Sequence, residues 1–220
     1  MLFVVVAGCG GDGGMSPIGL ADASGASDAA SSADGAPAPG LILDWADMPS
    51  LPGMVSPMVT VTSAKFFVKK LEIISDGGAT PQTTVDDAML VWNATTQVLP
   101  TTFFGAPAPA IYSKVRIHID KGSSETPAVE ILGTTTATGS SEPFKITSTE
   151  KLDLEVDGYN VQLAVGDSKV MTVLVGLDAA LANVNWAALP TPSNVRTLDD
   201  NSMSARDAFF EDLETAFTAP

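Results

Sequence analysis

The chain has one cysteine, Cys9, and one histidine, His118, among 220 residues. A lone cysteine excludes an intramolecular disulfide. It also argues against zinc, which wants several His or Cys ligands, and a blue-copper centre, built from two His and a Cys, is excluded on inventory. A Ser-His-Asp arrangement has only His118 as its base, and the sequence carries no Gly-x-Ser-x-Gly elbow, no phosphate-cradling glycine loop and no His-Glu-x-x-His helix. Cations are scarce: 11 Lys and Arg stand against 26 Asp and Glu, giving a net charge of −15, and none precedes Lys65. Binding to a phosphate backbone needs clustered Lys and Arg, so the charge balance argues against nucleic acid as a partner. No apolar run reaches the 18 residues or so of a spanning helix.

What the sequence does have begins at Val4-Val5-Val6-Ala7-Gly8-Cys9-Gly10, a short apolar run, two small residues and the cysteine. This stretch resembles the lipobox of bacterial lipoproteins. The resemblance implies that residues 1–9 are the end of a signal peptide and that Cys9 is lipidated and becomes the new N-terminus. It also implies a lipid-anchored protein of the cell envelope, and Gly10 in place of the Asp of inner-membrane retention points to the outer membrane. Secretory signals carry a basic region ahead of the apolar run. None stands before Val4, so the translation start is expected upstream of Met1.

Residues 10–40 are almost entirely Gly, Ala, Ser, Asp and Pro. Such a segment has too little apolar surface to offset the entropy of ordering itself and is expected to be a disordered tether. A flexible coil of about 30 residues reaches roughly 30 Å.

From Leu41 the chain turns apolar and β-branched, and residues 41–220 are expected to form one domain large enough to fold without staples. Strands are predicted at Leu41–Leu43, between Val59 and Ile74, and at Ala88–Trp92, with a loop from Pro100 to Pro109. Between Ile111 and Asp120, alternation sends Val115, Ile117 and Ile119 to one face and Lys114, Arg116, His118 and Asp120 to the other. Asp157-Gly158 lies between two alternating runs and predicts a hairpin that pairs Val156 with Tyr159 and Leu154 with Val161. Two helices are expected near the C-terminus. One follows the stripe Leu177, Leu181, Val184 and Ala188, and the other starts at a Ser204 N-cap and carries Phe209, Phe210, Leu213 and Phe217. Many short strands with Gly, Pro and Asp turns predict a mainly β fold, an antiparallel β-sandwich with one or two short C-terminal helices. In pattern the domain resembles the immunoglobulin-like and transthyretin-like sandwiches of cell-envelope lipoproteins.

The expected function is that of a non-catalytic binding or structural module of the envelope, contacting the membrane through the lipid on Cys9 and an envelope polymer or protein through its loops. A cofactor is not expected. The alternative is an envelope metal-binding protein. Soft thioethers at Met48, Met54 and Met58 together with His118 form a candidate Cu(I) set. Asp76, Asp86 and Asp87, or Asp199, Asp200 and Asn201, supply candidate calcium oxygens. A hydrolase using His118 or a carboxylate pair is the third reading. Trp45, flanked by Asp44 and Asp47, is a candidate for stacking on sugars.

Overall fold

The computed structural model describes residues 39–48, 51–77, 82–84, 87–123 and 126–220, so Cys9 and all but the last two residues of the expected tether lie outside the described residues. In chain order the strands are β1 (Gly40–Asp47), β2 (Gly53–Ser56), β3 (Val59–Ser75), β4 (Gln82–Thr84), β5 (Ala88–Asn93), β6 (Gln97–Val98), β7 (Thr102–Gly105) and β8 (Ala110–Ile119). Then come β9 (Val129–Thr135), β10 (Glu142–Ser148), β11 (Leu152–Val156), β12 (Val161–Leu163) and β13 (Ser168–Val175). The last part alternates helix and strand: α1 (Asp178–Ala182), β14 (Arg196–Leu198), α2 (Met203–Glu214) and β15 (Phe217–Thr218). The fold is mainly β, with open sheets and two short helices, as the composition of the strands requires.

The larger sheet is built on β3. Residues Ala64–Phe66 pair with both β5 and β9, so these two strands lie on opposite edges of β3. Further along, Val68 pairs with both Ala88 of β5 and Ile119 of β8, which places β8 on the same edge as β9. Two bulges keep this long strand in phase with its core. The extra residue lies between Val61 and Ser63 against β9 and between Val68 and Lys70 against β8, and a further shift at Ile74–Ser75 places the extra residue in β8. The slip between Val68 and Lys70 sets Val68 and Leu71, three positions apart, on the same buried side. Without that extra residue, every side chain after Lys69 would point to the opposite face.

The smaller sheet runs β15-β13-β1-β7. In β1, Leu41, Leu43 and Trp45 turn inward, as do Met171, Val173 and Val175 of β13. Residues of both sheets belong to one contiguous buried core. Phe66 of β3 makes edge-on contacts there with Trp92 of β5 at 6.1 Å and with Phe217 of β15 at 5.5 Å, a favoured geometry for aromatic rings.

Several local expectations are corrected. The sheets are mixed, not purely antiparallel, because β1 pairs with β13 and β10 with β14 in parallel. Parallel neighbours need a long crossover, and the chain between β1 and β13 is ample for one. The Asp157-Gly158 hairpin does not form. Both β11 and β12 run antiparallel along the same edge of β8, end to end, with Leu152 opposite Ile119 and Leu163 opposite Ala110. Gly158, at φ 97°, takes up the jog between them, and the Tyr159 amide donates to the carbonyl of Ser113. Folding back would have left the ten-residue edge of β8 uncovered by β12; running straight on covers it and still buries Leu154, Val156, Tyr159 and Leu163. The helix expected from Leu177 to Ala188 stops at Ala182, and a single 3-10 turn, Trp186–Ala188, follows. The break lets Trp186 pack against Phe144 of β10, the rings tilted by 48° with centroids 4.6 Å apart. The second helix begins one residue before Ser204, and Phe217 leaves it to pair as a strand with Val175. The Pro100–Pro109 segment, expected as a loop, contains β7, with Phe104 buried and Phe103 outward.

Candidate functional site

His118 lies on a charged face formed by three neighbouring strands. The registers place Lys70, His118 and Asp153 in one row across β3, β8 and β11, and Glu72, Arg116 and Glu155 in the next. Opposite charges therefore face one another across every strand boundary of the second row, an arrangement that stabilises a sheet. Glu72, almost fully buried, accepts from Lys70 at 2.5 Å and from Arg116 at 3.2 Å. Arg116 also donates to Glu155 at 2.8 Å, and Glu155 accepts from Lys114 at 2.6 Å. The His118 ring sits between Asp153, 2.5 Å from Nδ1, and Glu72, 3.5 Å from Nε2.

These contacts set the protonation of the acids. Burial works to raise the pKa of Glu72, but hydrogen bonds from Lys70, His118 and Arg116 outweigh it and hold the carboxyl below its ordinary value. Asp153 is lowered in the same way, burial being overcome by Lys151 and His118. The pKa of Glu155 is lowered chiefly by hydrogen bonds from Lys114 and Arg116. The alternation read from the sequence thus holds: Val115, Ile117 and Ile119 are buried, and their neighbours form the polar side. His118, however, is more enclosed than a solvated strand residue, with only 17% of its side chain exposed. Glu72, Asp153 and Glu155 each pair with a neighbouring cation. What the face does chemically is hold three strands in register.

The other predicted site residues are not gathered at His118. Met54 pairs opposite Thr60 near the start of β3, whereas His118 pairs opposite Lys70. At about 3.3 Å per residue, that difference in register is roughly 30 Å along the strand. Met58 lies in the β2–β3 turn beside Met54, and Met48 follows β1 in the smaller sheet, its amide donating to Val175. All three thioethers are exposed. No group of three or more His, Cys, Asp or Glu placed to hold a metal ion occurs among the described residues. Of the calcium candidates, Asp86 lies outside the described residues, and Asp87 pairs with Lys69. Asp200 accepts from Ser148 and from both the amide and the hydroxyl of Thr149, clamping the end of β10 to the start of α2. Trp45 is buried, and its indole donates to the Pro100 carbonyl at 3.2 Å, so it offers no face to a sugar.

A second region draws its character from what its sequence omits. Residues 88–113 contain no Asp, Glu, Lys or Arg, and neither do residues 158–166. The fold brings the ends of these two stretches together beside the first residues of β1. They enclose an open groove of about 430 Å³, walled by Pro39 and Gly40, by Ala106–Pro109 and by Leu163–Asp167. A neighbouring depression continues it over Ile111 and Gln162.

Local chemistry fixes these walls. Gly166, at φ 85°, makes the turn from β12 into β13, and the Asp167 carboxylate accepts from the Ala164 amide at 3.1 Å. Gly40 donates to the Asp167 carbonyl at 2.9 Å, and Tyr112 anchors the proline-rich wall by donating to the Ala108 carbonyl at 2.8 Å. Gly40 is required there, since a Cβ would lie 2.5 Å from the Phe103 ring that covers it. Ala106 is held at φ 46°, a left-handed conformation that costs an L-residue about 1–2 kcal/mol. Around the groove, apolar side chains face water: Val165 is 88% exposed, Val170 54%, Phe103 49% and Ile111 41%. Val170, Ile42 and Phe103 lie in one row across β13, β1 and β7.

A pocket for a small polar substrate needs a few convergent polar groups to fix orientation. Here the carboxylate of Asp167 is already committed to its own turn, and the remaining walls are aliphatic. The groove therefore suits contact with an apolar surface. Sequence reading missed this site, although the uncharged interval between Asp87 and Lys114 was visible in a strongly acidic chain. No protein-family model matches the chain, and comparison with curated proteins and with solved structures gives no significant match.

Proposed function

We propose that this is a lipid-anchored cell-envelope protein, held by a lipid on Cys9 and acting as a non-catalytic binding module. The contact surface in this reading is the charge-poor apolar end, where the groove, Phe103 and Val165 meet. The single observation that carries it is the exposure of large apolar side chains around a groove whose lining has almost no free polar group. Apolar patches of this kind on a soluble domain mark contact sites. The scarcity of charge in the wall segments, where Asp167 alone is ionised, in a chain of net charge −15, supports the same reading. The lipobox resemblance supports an outer-membrane address. The single shared core and the contact between Phe66 and Phe217 support stacking of the two sheets as a β-sandwich.

Intact-mass analysis of the protein extracted from membranes tests the anchor. The expected product lacks residues 1–8 and carries an acylglycerol on Cys9; an unmodified chain retaining Met1 would refute it. For the contact surface, affinity capture from envelope fractions is compared between the native chain and Val165→Asp. Equal recovery of every partner by both proteins would remove the apolar end from the reading.

A further inference from the structure

We infer that the partner of the charge-poor end is the lipid surface itself, so that the domain lies with the β12–β13 turn and the Phe103 row against the headgroups of the membrane that anchors it. This rests on lipid attachment at Cys9. Three independent features of the fold agree on the orientation.

The first is where the anchored chain enters. Twenty-nine residues separate Cys9 from Pro39, and Pro39 and Gly40 are themselves part of the groove wall. Whatever path the intervening residues take, the end of the domain attached to them is the one that carries the groove. The second is the distribution of charge. An acidic domain is repelled by an anionic leaflet, and bringing a charged group against lipid costs its hydration. Of the residues that line the groove only Asp167 is charged, and its carboxylate is held by the Ala164 amide, so this wall carries little of either cost; the nearest acid on the outer face is Asp44, two residues along β1 from Ile42. The third is the form of the apolar surface. Val165 projects at the tip of a turn, and Val170, Ile42 and Phe103 form a row on the outer face of the smaller sheet. A projecting tip backed by a shallow apolar face suits insertion among headgroups.

The test uses the full-length chain and its single thiol. Cys9 is coupled to a maleimide-bearing phospholipid in vesicles of phosphatidylcholine, with or without phosphatidylglycerol, prepared with ordinary or brominated acyl chains. Chemical coupling supplies the anchor whether or not cells acylate Cys9, so a failure to dock is distinguishable from a failure of the anchor reading, which intact mass decides. Val165→Trp is the reporter. The native Trp45, Trp92 and Trp186 are buried and shielded from the quencher. On coupling, the added indole is expected to shift to the blue and to be quenched by brominated chains. Introducing Val170→Asp, at an exposed position, is expected to lower the ratio of docked to free domains about tenfold, the worth of one lost apolar contact. Phe103→Asp provides an independent second variant with the same expected direction. An indole that neither shifts nor is quenched on coupling would overturn the inference. So would a blue shift that depends on protein concentration in the absence of vesicles, because it would assign the surface to a second copy of the chain.

Discussion

On the β3–β8–β11 face, charge is dense and nearly every ionised group meets its opposite, whereas at the end where β1 begins charge is sparse and apolar side chains stand exposed. The first surface uses its residues to hold the fold. The second leaves them for something outside it. Residue type alone would suggest the reverse, since His118 between two carboxylates looks like chemistry and a run of Ala and Pro looks like filler. Satisfaction of the groups tells them apart: Glu72, Arg116 and Glu155 are consumed by one another, while Val165 touches little but water.

If that contrast is right, substitutions on the charged face change stability and leave docking alone. The largest effect is expected for Glu72→Ala, which strands Lys70, Arg116 and His118 without their shared acceptor and costs about 2 kcal/mol. Urea denaturation measures it, and a loss no greater than that of an exposed control would mean that the ladder is ornamental.

The dependence on pH comes next. Glu72, Asp153 and Glu155 all have pKa values lowered in the folded state, so they bind protons more readily when unfolded. Their contribution is fully present above the ordinary carboxylate pKa and is lost as pH falls through the lowered values, below about pH 4. The urea midpoint of the native chain should therefore fall more steeply between about pH 6 and pH 3 than that of Glu72→Ala. Parallel curves for the two proteins would show that the acid sensitivity arises elsewhere.

Changes at the charge-poor end should be smaller and of different sign. Ala106→Gly removes the left-handed strain at φ 46° and is expected to raise stability by about 0.5–1 kcal/mol, read as an increased melting temperature. A decrease would mean that the Ala106 methyl makes packing contacts worth more than the strain. Val165→Asp, at a position 88% exposed, should leave stability within about 0.5 kcal/mol of the native chain. A clear loss in thermal melts would make Val165 part of the fold and blur the distinction between the two surfaces.

The parts legible beforehand were those governed by neighbours two positions apart. Alternation placed Val115, Ile117 and Ile119 inside and gave β8 close to its observed extent, and composition did the same for β3 and β5, whereas only Leu41–Leu43 of β1 was read as strand. Lys114, Arg116 and His118 could likewise be set on the outer face, but Glu72 could not be matched to them. It stands 44 residues before Arg116 and meets it only because β3 and β8 pair in one particular register. The apolar groove was hidden for a similar reason, since its walls come from three stretches of chain that no local pattern connects. Asp157-Gly158 shows the converse. Its turn chemistry was real, yet the available edge of β8 outweighed it and drew β12 straight onward.

By itself, the sequence determined a mainly β protein and the inward face of its clearly alternating runs, because side-chain alternation is a property of each strand alone. It also determined the strong negative charge and the two stretches free of it. Only the tertiary structure decided which strands became neighbours, how Glu72 reached Arg116 and His118, and that the uncharged stretches meet beside Gly40. Pairing depends on which backbone edges are left open by the rest of the sheet, and no short segment carries that information.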